Sequence, residues 1–391
     1  MNFEKLATFC KFFRATIESI NNDASSKTKK ITFKDILYCC LYMNGSSCSY
    51  SLANINMCMN DIIDVSDTAI KNKRNAIDYI HFKKVSDTLL DFVYQENNNQ
   101  RIIGVDGTYL PLSIELKKFG FQTSGRNTYC IGLVSSLYDI DKKMLINYNL
   151  SKKHDERKAL IDQIEYLKPN DILIMDRGYY SKELLFLLNE KEIQVIFRMR
   201  SNSLMVKELV NKNQSSMITQ VTINDTKIRF RIITYKINDF DYFLGTTILN
   251  HRISYFKKLY WKRWCTETNF RESKYLLSLN NILSKDINKV QQDIYSHNIL
   301  FIINSFFKNN LELSLPINKF INTKNLLHLI VTSILYLILY KKLTPPIKKN
   351  IIKISNCLLK TSVTSDPDRS FERIRIKPIG KWYYCVKFNN Q

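Results

Sequence analysis

Glycine and proline are scarce, at nine and seven in 391 residues. That excludes a collagen-like or linker-rich chain. Acid is in deficit, with 36 Asp and Glu against 58 Lys and Arg, for a net charge of +22. There are only five histidines and no H-E-x-x-H pair, no G-x-S-x-G elbow and no glycine-rich phosphate loop. Zinc-protease, serine-hydrolase and P-loop chemistry are thereby set aside. The nine cysteines are odd in number and form no C-x-x-C pair. Neither a zinc ribbon nor a disulfide framework is indicated, and buried reduced thiols in an intracellular protein are expected. The opening MNFEKLATFCKFFRAT has no signal-peptide apolar region. The longest apolar run, Leu326 to Tyr340, is fifteen residues and carries His328, Thr332 and Ser333. It falls short of the roughly 18–20 residues of a span and is expected to be a buried helix, with no membrane partner.

What is present is a folded, basic protein. With 45% hydrophobic and 12% aromatic residues the chain is too apolar for a disordered polycation, and its length suits two or three domains. A globule of this charge meets a polyanion, with nucleic acid ahead of an anionic membrane.

Residues 1–95 carry helical patterns, as in FEKLATFCKFFRATIESI, FKDILYCCLYM and VSDTLLDFVY. Within them two helices joined by a short turn are expected, the second N-capped by Ser66 and showing Lys71, Lys73 and Arg74 to DNA. An ordinary helical pair with a solvated basic face accounts for the same pattern. After the polar QENNNQ, strands are expected at RIIGVDGTYLPLS, NTYCIGLVSSLYDI and KMLINYNL. Then come a helix (DERKALIDQIEYL), a buried strand (DILIMD), a helix (SKELLFLLNEKE) and a strand (IQVIFRMR). Three strands in meander followed by αβαβ is the order of an α/β, RNase H-like fold. The expected division is 1–95 helical and DNA-binding, 96–199 the first part of the core, 200–250 a β-strand insertion that includes VKELV, 251–300 a core helix, and 301–391 a helical basic region. The last 51 residues hold 12 Lys or Arg against 3 Asp or Glu.

Asp106, in IIGVDGTYL, and Asp176, closing ILIMD, stand where open α/β sheets place reactive groups. Either could alone be a cap or a turn residue. In YFKKLYWKRWCTETNFRESKYLL, one continuous helix at roughly 100° per residue would set Tyr260, Arg263, Glu267, Arg271 and Lys274 on a stripe about 80° wide. A salt-bridged surface helix is the default for such charges, but Tyr260, Trp261 and Trp264 interrupt it and suit stacking on bases. Two aspartates and a glutamate on separate elements suit hard divalent cations able to drive an in-line phosphoryl displacement.

The face Tyr260-x-x-Arg263-x-x-x-Glu267-x-x-x-x-x-x-Lys274 resembles the Y-R-E-K signature of insertion-sequence transposases of the "IS-four" group. GVDGTYL resembles that family's first-Asp motif, DILIMDRGYYS its second, and LSKKHDERKAL the stretch before the second. The acids follow at intervals of 70 and 91 residues, and the likeness covers about residues 95–300.

The resemblance implies a DDE transposase with an RNase H-like core and a β insertion ahead of the glutamate. Asp106, Asp176 and Glu267 would be the catalytic, metal-binding triad for two Mg²⁺ ions, with Mn²⁺ able to substitute. Tyr260, Arg263 and Lys274 would contact DNA phosphates near the transposon end, with Arg271 on the same face. His154 and Asp155 belong to the family-like stretch, with a loop and a helix cap as the plain alternative. The partners expected are transposon ends, target DNA and a second copy in a synaptic complex, on the nucleoid of a bacterium or at nuclear or viral DNA. A domesticated relative that binds DNA as a regulator or architectural factor is the alternative.

Overall fold

The computed structural model describes residues 3–23, 31–43, 47–59, 63, 65–95, 100–125, 127–223, 225–237, 240–275, 277–341 and 344–364. The stretches NNDASSKTKK and QENNNQ lie largely, and the basic tail from 365 wholly, outside the described residues.

Five helices come first: α1 (Phe3–Asp23), α2 (Phe33–Met43), α3 (Cys48–Met59), α4 (Asp67–Ala76) and α5 (Ile80–Tyr94). Their apolar stripes bury Phe9, Phe13, Phe33, Leu37 and Phe82 almost completely. As expected, Ser66 caps α4, accepting from the Ala69 amide at 3.2 Å. The connection from α3 to α4 spans seven residues, longer than the turn of a helix-turn-helix. Arg74 does not face DNA. It is 8% exposed and donates to Gln292 Oε1, to the Lys289 carbonyl and to Asp293. A guanidinium so saturated is a structural tie between α4 and the core. Lys71 is exposed but ion-paired to Asp67 one turn back, at 2.7 Å, and Lys73 is half-buried.

The strands are β1 (Ile102–Leu112), β2 (Gln122–Thr123), β3 (Cys130–Asp139), β4 (Met144–Ser151), β5 (Ile172–Met175), β6 (Gln194–Arg198), β7 (Ser216–Ile223), β8 (Thr226–Ile237) and β9 (Phe240–Thr246). Between them lie α6 (Glu156–Ile161), α7 (Lys182–Glu190) and α8 (Leu204–Asn211). All nine strands form one mixed sheet, ordered β2-β3-β1-β5-β6-β9-β8-β7, with β4 also on β3. β1 is antiparallel to β3 and parallel to β5, and β5 is parallel to β6. This is the meander plus two parallel strands that the apolar runs predict. Every residue of β5 is buried, as a central parallel strand covered on both faces requires.

At the start of this pair Arg101 and Asp171 form a bidentate ion pair, with side chains 6% and 3% exposed. The Ile172 amide donates to the Arg101 carbonyl at 2.9 Å. Both contacts set a 70-residue offset between the strands. The stretch 200–250 departs from expectation at its start. VKELV belongs to helix α8, because Val206 and Leu209 bury at helical spacing. The rest of the stretch forms strands, as expected of the insertion, and β9 pairs antiparallel with β6 so that they extend the main sheet.

The chain continues with α9 (Ile253–Lys262), α10 (Trp264–Tyr275), α11 (Ile287–Glu312), a two-residue strand β10 (Lys319–Phe320), α12 (Thr323–Leu329), α13 (Leu335–Tyr340), α14 (Pro345–Lys360) and β11 (Val363–Thr364), which pairs with β10. α11 is the central pillar, buried over most of its circumference. The run Thr323–Tyr340 joins α12 to α13 through a wide π turn. Its 18 residues have a mean hydropathy of 1.4, and among the described residues it is the one helix long and apolar enough to cross a membrane by length and composition. Leu326, Ile330, Ile334, Leu335 and Ile338 are fully buried, and the Tyr340 hydroxyl donates to Asp35 of α2 at 2.8 Å. The run expected to be a buried helix is buried along one face only, 44% of it, and His328 is exposed. Six cysteines fall among those whose side chains are described, all of them free thiols, and burial pushes Cys10 and Cys40 up to about 12.

Two predictions follow from α11 and its ties. Replacing Arg74 with Ala should cost about 3 kcal/mol in urea unfolding, because it takes the guanidinium away from Asp293 Oδ1 and Gln292 Oε1 at a largely buried site. A loss within 0.5 kcal/mol of zero, on the scale of surface substitutions, would return Arg74 to the surface. His297 is buried on α11, and burial holds its imidazole at about 4 in place of 6.5. The unfolded chain takes up this proton below about pH 6.5 and the folded chain does not, so stability should fall as pH drops from about 6.5 to 4. The loss should reach about 3 kcal/mol and be absent from the pH profile of His297→Gln.

Candidate active site

The parallel register of β1 and β5 runs Ile102↔Ile172, Ile103↔Leu173, Gly104↔Ile174. Carried forward two residues, it sets Asp106 level with Asp176 and on the same face of neighbouring strands, which lie about 4.8 Å apart. Asp106 sits mid-strand with its side chain 25% exposed, and Asp176 follows the last residue of β5 with its side chain 39% exposed. The sheet therefore opens a crevice at the carboxyl end of β5 with one carboxylate on each side.

α10 is laid against this crevice. Its inward face is Thr266, Phe270 and Ser273, at 0%, 7% and 0% exposure. Phe270 stacks on Tyr148 of β4 at 5.8 Å, and the Tyr148 hydroxyl is 2.5 Å from Ser273 Oγ. Thr266 packs so closely on β1 that a Cβ at Gly104 would lie 2.2 Å from its Oγ1. Only glycine admits this approach. Glu267 follows Thr266 on the helix; its side chain, like that of Trp264, lies outside the described residues.

The expected continuous stripe is broken. α9 ends at Lys262 and Arg263 is a tightened turn, its amide donating to Tyr260 O at 3.1 Å and its carbonyl accepting from Thr266 N at 2.8 Å. Bonds of three-residue span replace the regular four-residue ones, so 100° per residue does not carry from Tyr260 to Lys274. Two of the four flanking groups nonetheless meet the acids, and a third is held beside one of them. Arg263 is buried, with Nη1 4.0 Å from Asp106 Oδ2, and the Tyr260 hydroxyl donates to Asp176 Oδ1 at 3.5 Å. Lys274 Nζ donates to Thr108 Oγ1 on the same strand as Asp106. Tyr260, expected to contact DNA, is only 4% exposed, and its hydroxyl faces Asp176. Arg271 is exposed and, among the described residues, touches neither aspartate. Trp261 is 63% exposed.

Burial pushes the Tyr260 phenol up to about 12, against the neighbouring Arg263 charge. Burial pushes the Lys274 ammonium down, opposed by Asp106. Two residues outside the expected set belong here. Arg198, at the end of β6, is 4.0 Å from Asp176 and lies over the Tyr242 ring at 4.9 Å. Glu156, in the first turn of α6, is half-buried with its carboxylate against the backbone of Gly107, where a Cβ would be 2.8 Å away. Burial, then the charges of Asp106 and Asp176, push its carboxyl up. Asp155 is the helix cap of the plain reading, accepting from the Arg157 and Lys158 amides, and His154 lies edge-on to Tyr109.

The donors at the crevice are all oxygen, which fits a hard divalent cation. Among the described residues no three His, Cys, Asp or Glu side chains close on one metal position. The larger hollow of about 370 Å³ between α2, α4 and α11 is a separate place. Two of its lysines are neutralised, Lys71 by Asp67 and Lys285 by Glu115.

Residues 97–303, a little over half of the chain, match the family model described as the transposase DDE domain. The chain belongs to this family. The match begins ahead of β1 and ends within α11, so it takes in both aspartates, the sheet extension and the helix carrying Glu267. Comparison with the curated proteins finds no match. A DDE transposase acts on DNA, and enzymes of this family use divalent metal ions. The mixed sheet of this transposase, flanked by helices, fits an RNase H-like core.

The close approach at Gly104 is directly testable. Gly104→Ala should lower stability by about 1–3 kcal/mol, as overpacking does. Thr266→Ala in the same chain should restore most of it, since Thr266 Oγ1 has no hydrogen-bond partner among the described residues to lose. Two losses that simply add would show that the helix does not bear on the strand there.

Proposed function

We propose that this transposase cuts DNA at the ends of its element and joins the freed 3′ ends to target DNA. In this reading Asp106, Asp176 and Glu267 hold two Mg²⁺ ions, or Mn²⁺ in their place. One observation carries it: two aspartates level with one another on parallel strands, with the helix that bears Glu267 packed onto the first strand. When bound, such ions supply Lewis acidity and a nucleophile for in-line displacement at phosphorus.

The chain's own residues do the rest. Carboxylates alone would repel a phosphodiester. Arg263 beside Asp106 and Arg198 beside Asp176 keep positive charge within 4.0 Å of each acid and are placed to take the phosphate oxygens. Tyr260 orients Asp176 through its hydroxyl, and Lys274, held on Thr108, gains a counter-charge when a phosphate enters. Arg263, Tyr260 and Lys274 occupy the positions of the Y-R-E-K signature, which supports placement in the "IS-four" group. Glu156 adds negative charge at the back of the crevice. Two ends must be held together for paired cleavage, so the working form is a dimer in a synaptic complex.

The test is cleavage of a duplex bearing the element's terminal sequence, with Mg²⁺, by the full chain. Asp106→Asn and Glu267→Gln should each slow cleavage roughly a thousandfold, about 4 kcal/mol of barrier, while the duplex stays bound. Unchanged cleavage by Glu267→Gln would refute the triad. A wild-type chain that binds the ends but never cuts them would support a DNA-binding protein without transposition.

A further inference from the structure

Outside the acid pair, the turn that follows Asp176 encloses a second hollow, of about 190 Å³, whose charged lining is entirely arginine: Arg157, Arg177 and Arg200. Arg177 is the residue after Asp176, and Arg157 donates Nε to the Gly178 carbonyl at 2.8 Å, which fixes its guanidinium over the same turn. Arg200 follows the end of β6, two residues beyond the arginine that neighbours Asp176.

Two hydroxyls complete the lining. Ser203 is the N-cap residue of α8, yet its side chain makes no capping bond, and its Oγ is buried without a partner among the described residues. The Tyr180 hydroxyl is likewise buried and without a partner among them. Buried hydroxyls of this kind are normally satisfied. Three guanidiniums, two waiting donors and the N-terminus of an eight-residue helix together describe a receptor for a doubly oxygenated anion. No carboxylate lines the hollow, whereas the larger cavity near α11 holds Asp293.

We propose that this hollow binds one phosphodiester of the DNA strand beside the phosphate that enters the acid crevice. The assignment rests on the transposase reading and adds to it a fixed register between strand and protein. Its arginine one residue past Asp176 places the hollow beside the crevice, on the same turn, within reach of a strand that enters there. A free phosphate would use the same donors, and the two sources are separable by experiment.

The experiment is a binding measurement in chelator, without divalent metal, so that it stands whether or not Asp106, Asp176 and Glu267 are catalytic. The probe is a duplex of the element's terminal sequence in which single phosphates are replaced in turn by neutral methylphosphonates. The wild-type chain should lose about tenfold in affinity at one position next to the cleavage point. The Arg177→Gln, Arg200→Gln chain should bind the unmodified duplex about tenfold more weakly and be indifferent to methylphosphonate at that position. Its salt slope should be shallower by about 0.9, the signature of one phosphate contact. Ser203→Ala, a milder change, should lower affinity in the same position-specific way and guards against misfolding of the double variant. Equal sensitivity of wild type and variant at every position would overturn the proposal. So would a hollow that takes up inorganic phosphate, at constant ionic strength, in a wild-type chain that shows no position-specific loss with the modified duplexes.

Discussion

Everything at the crevice depends on a pair of buried charges at its far end. Arg101 and Asp171 stand immediately before β1 and β5 and clamp the two strands with an offset of 70 residues. The same offset separates Asp106 from Asp176. A parallel pair slipped by one residue would send one of these carboxylates to the opposite face of the sheet. Apolar β5 cannot prevent that by itself, because ILIM is buried on both faces and would be content in several registers. A buried ion pair gives little net stability, since desolvation offsets most of the Coulomb attraction. Its contribution here is selective: any slipped register leaves a guanidinium and a carboxylate buried apart, at a cost of several kcal/mol.

The second requirement is that a helix reach the strands closely enough to share their site. Side chains on both partners normally hold a helix well off a sheet, so the approach at Gly104 takes a glycine on the strand and a small residue, Thr266, on the helix. The tightened turn at Arg263 serves the same end. It lets α9 and α10 differ in phase, so that Tyr260 meets Asp176 while Arg263 meets Asp106.

Much of this was legible in the sequence because it rests on runs of one character. The strands around Asp106 and Asp176 are apolar and β-branched, and their turn residues stand where the chain reverses. The place of Asp176 at the close of an apolar strand pointed to the crevice, and the order of the three motifs to the family. What escaped was whatever depends on a partner far along the chain. Lys71, Lys73 and Arg74 form one basic cluster in sequence, but Arg74 has an amide and a carboxylate waiting 218 and 219 residues away. VKELV has the β-branched content of a strand and the burial spacing of a helix, and packing decided for the helix. Glu156 lies beside the Asp155 cap in a stretch already explained by capping, and nothing local shows that Gly107 leaves room for its carboxylate. The break at Arg263 has no glycine or proline to announce it.

The strands that extend the sheet bear on the chemistry as well. Because β9 pairs with β6, Arg198 is held from two sides, by its own strand and by the Tyr242 ring of the next. Tyr242 in turn stacks on Tyr235 of β8 at 5.8 Å, so the support runs three strands deep. An arginine on a loop would lose several freely rotating bonds on meeting a phosphate. One braced against a stacked tyrosine pair has surrendered most of that freedom during folding, and the entropy is not charged again at binding. A separate β domain on flexible joints could not do this. The continuity of the sheet from β1 to β7 makes the extension part of the rigid frame around the acids, and the frame is what holds their positive neighbours in place.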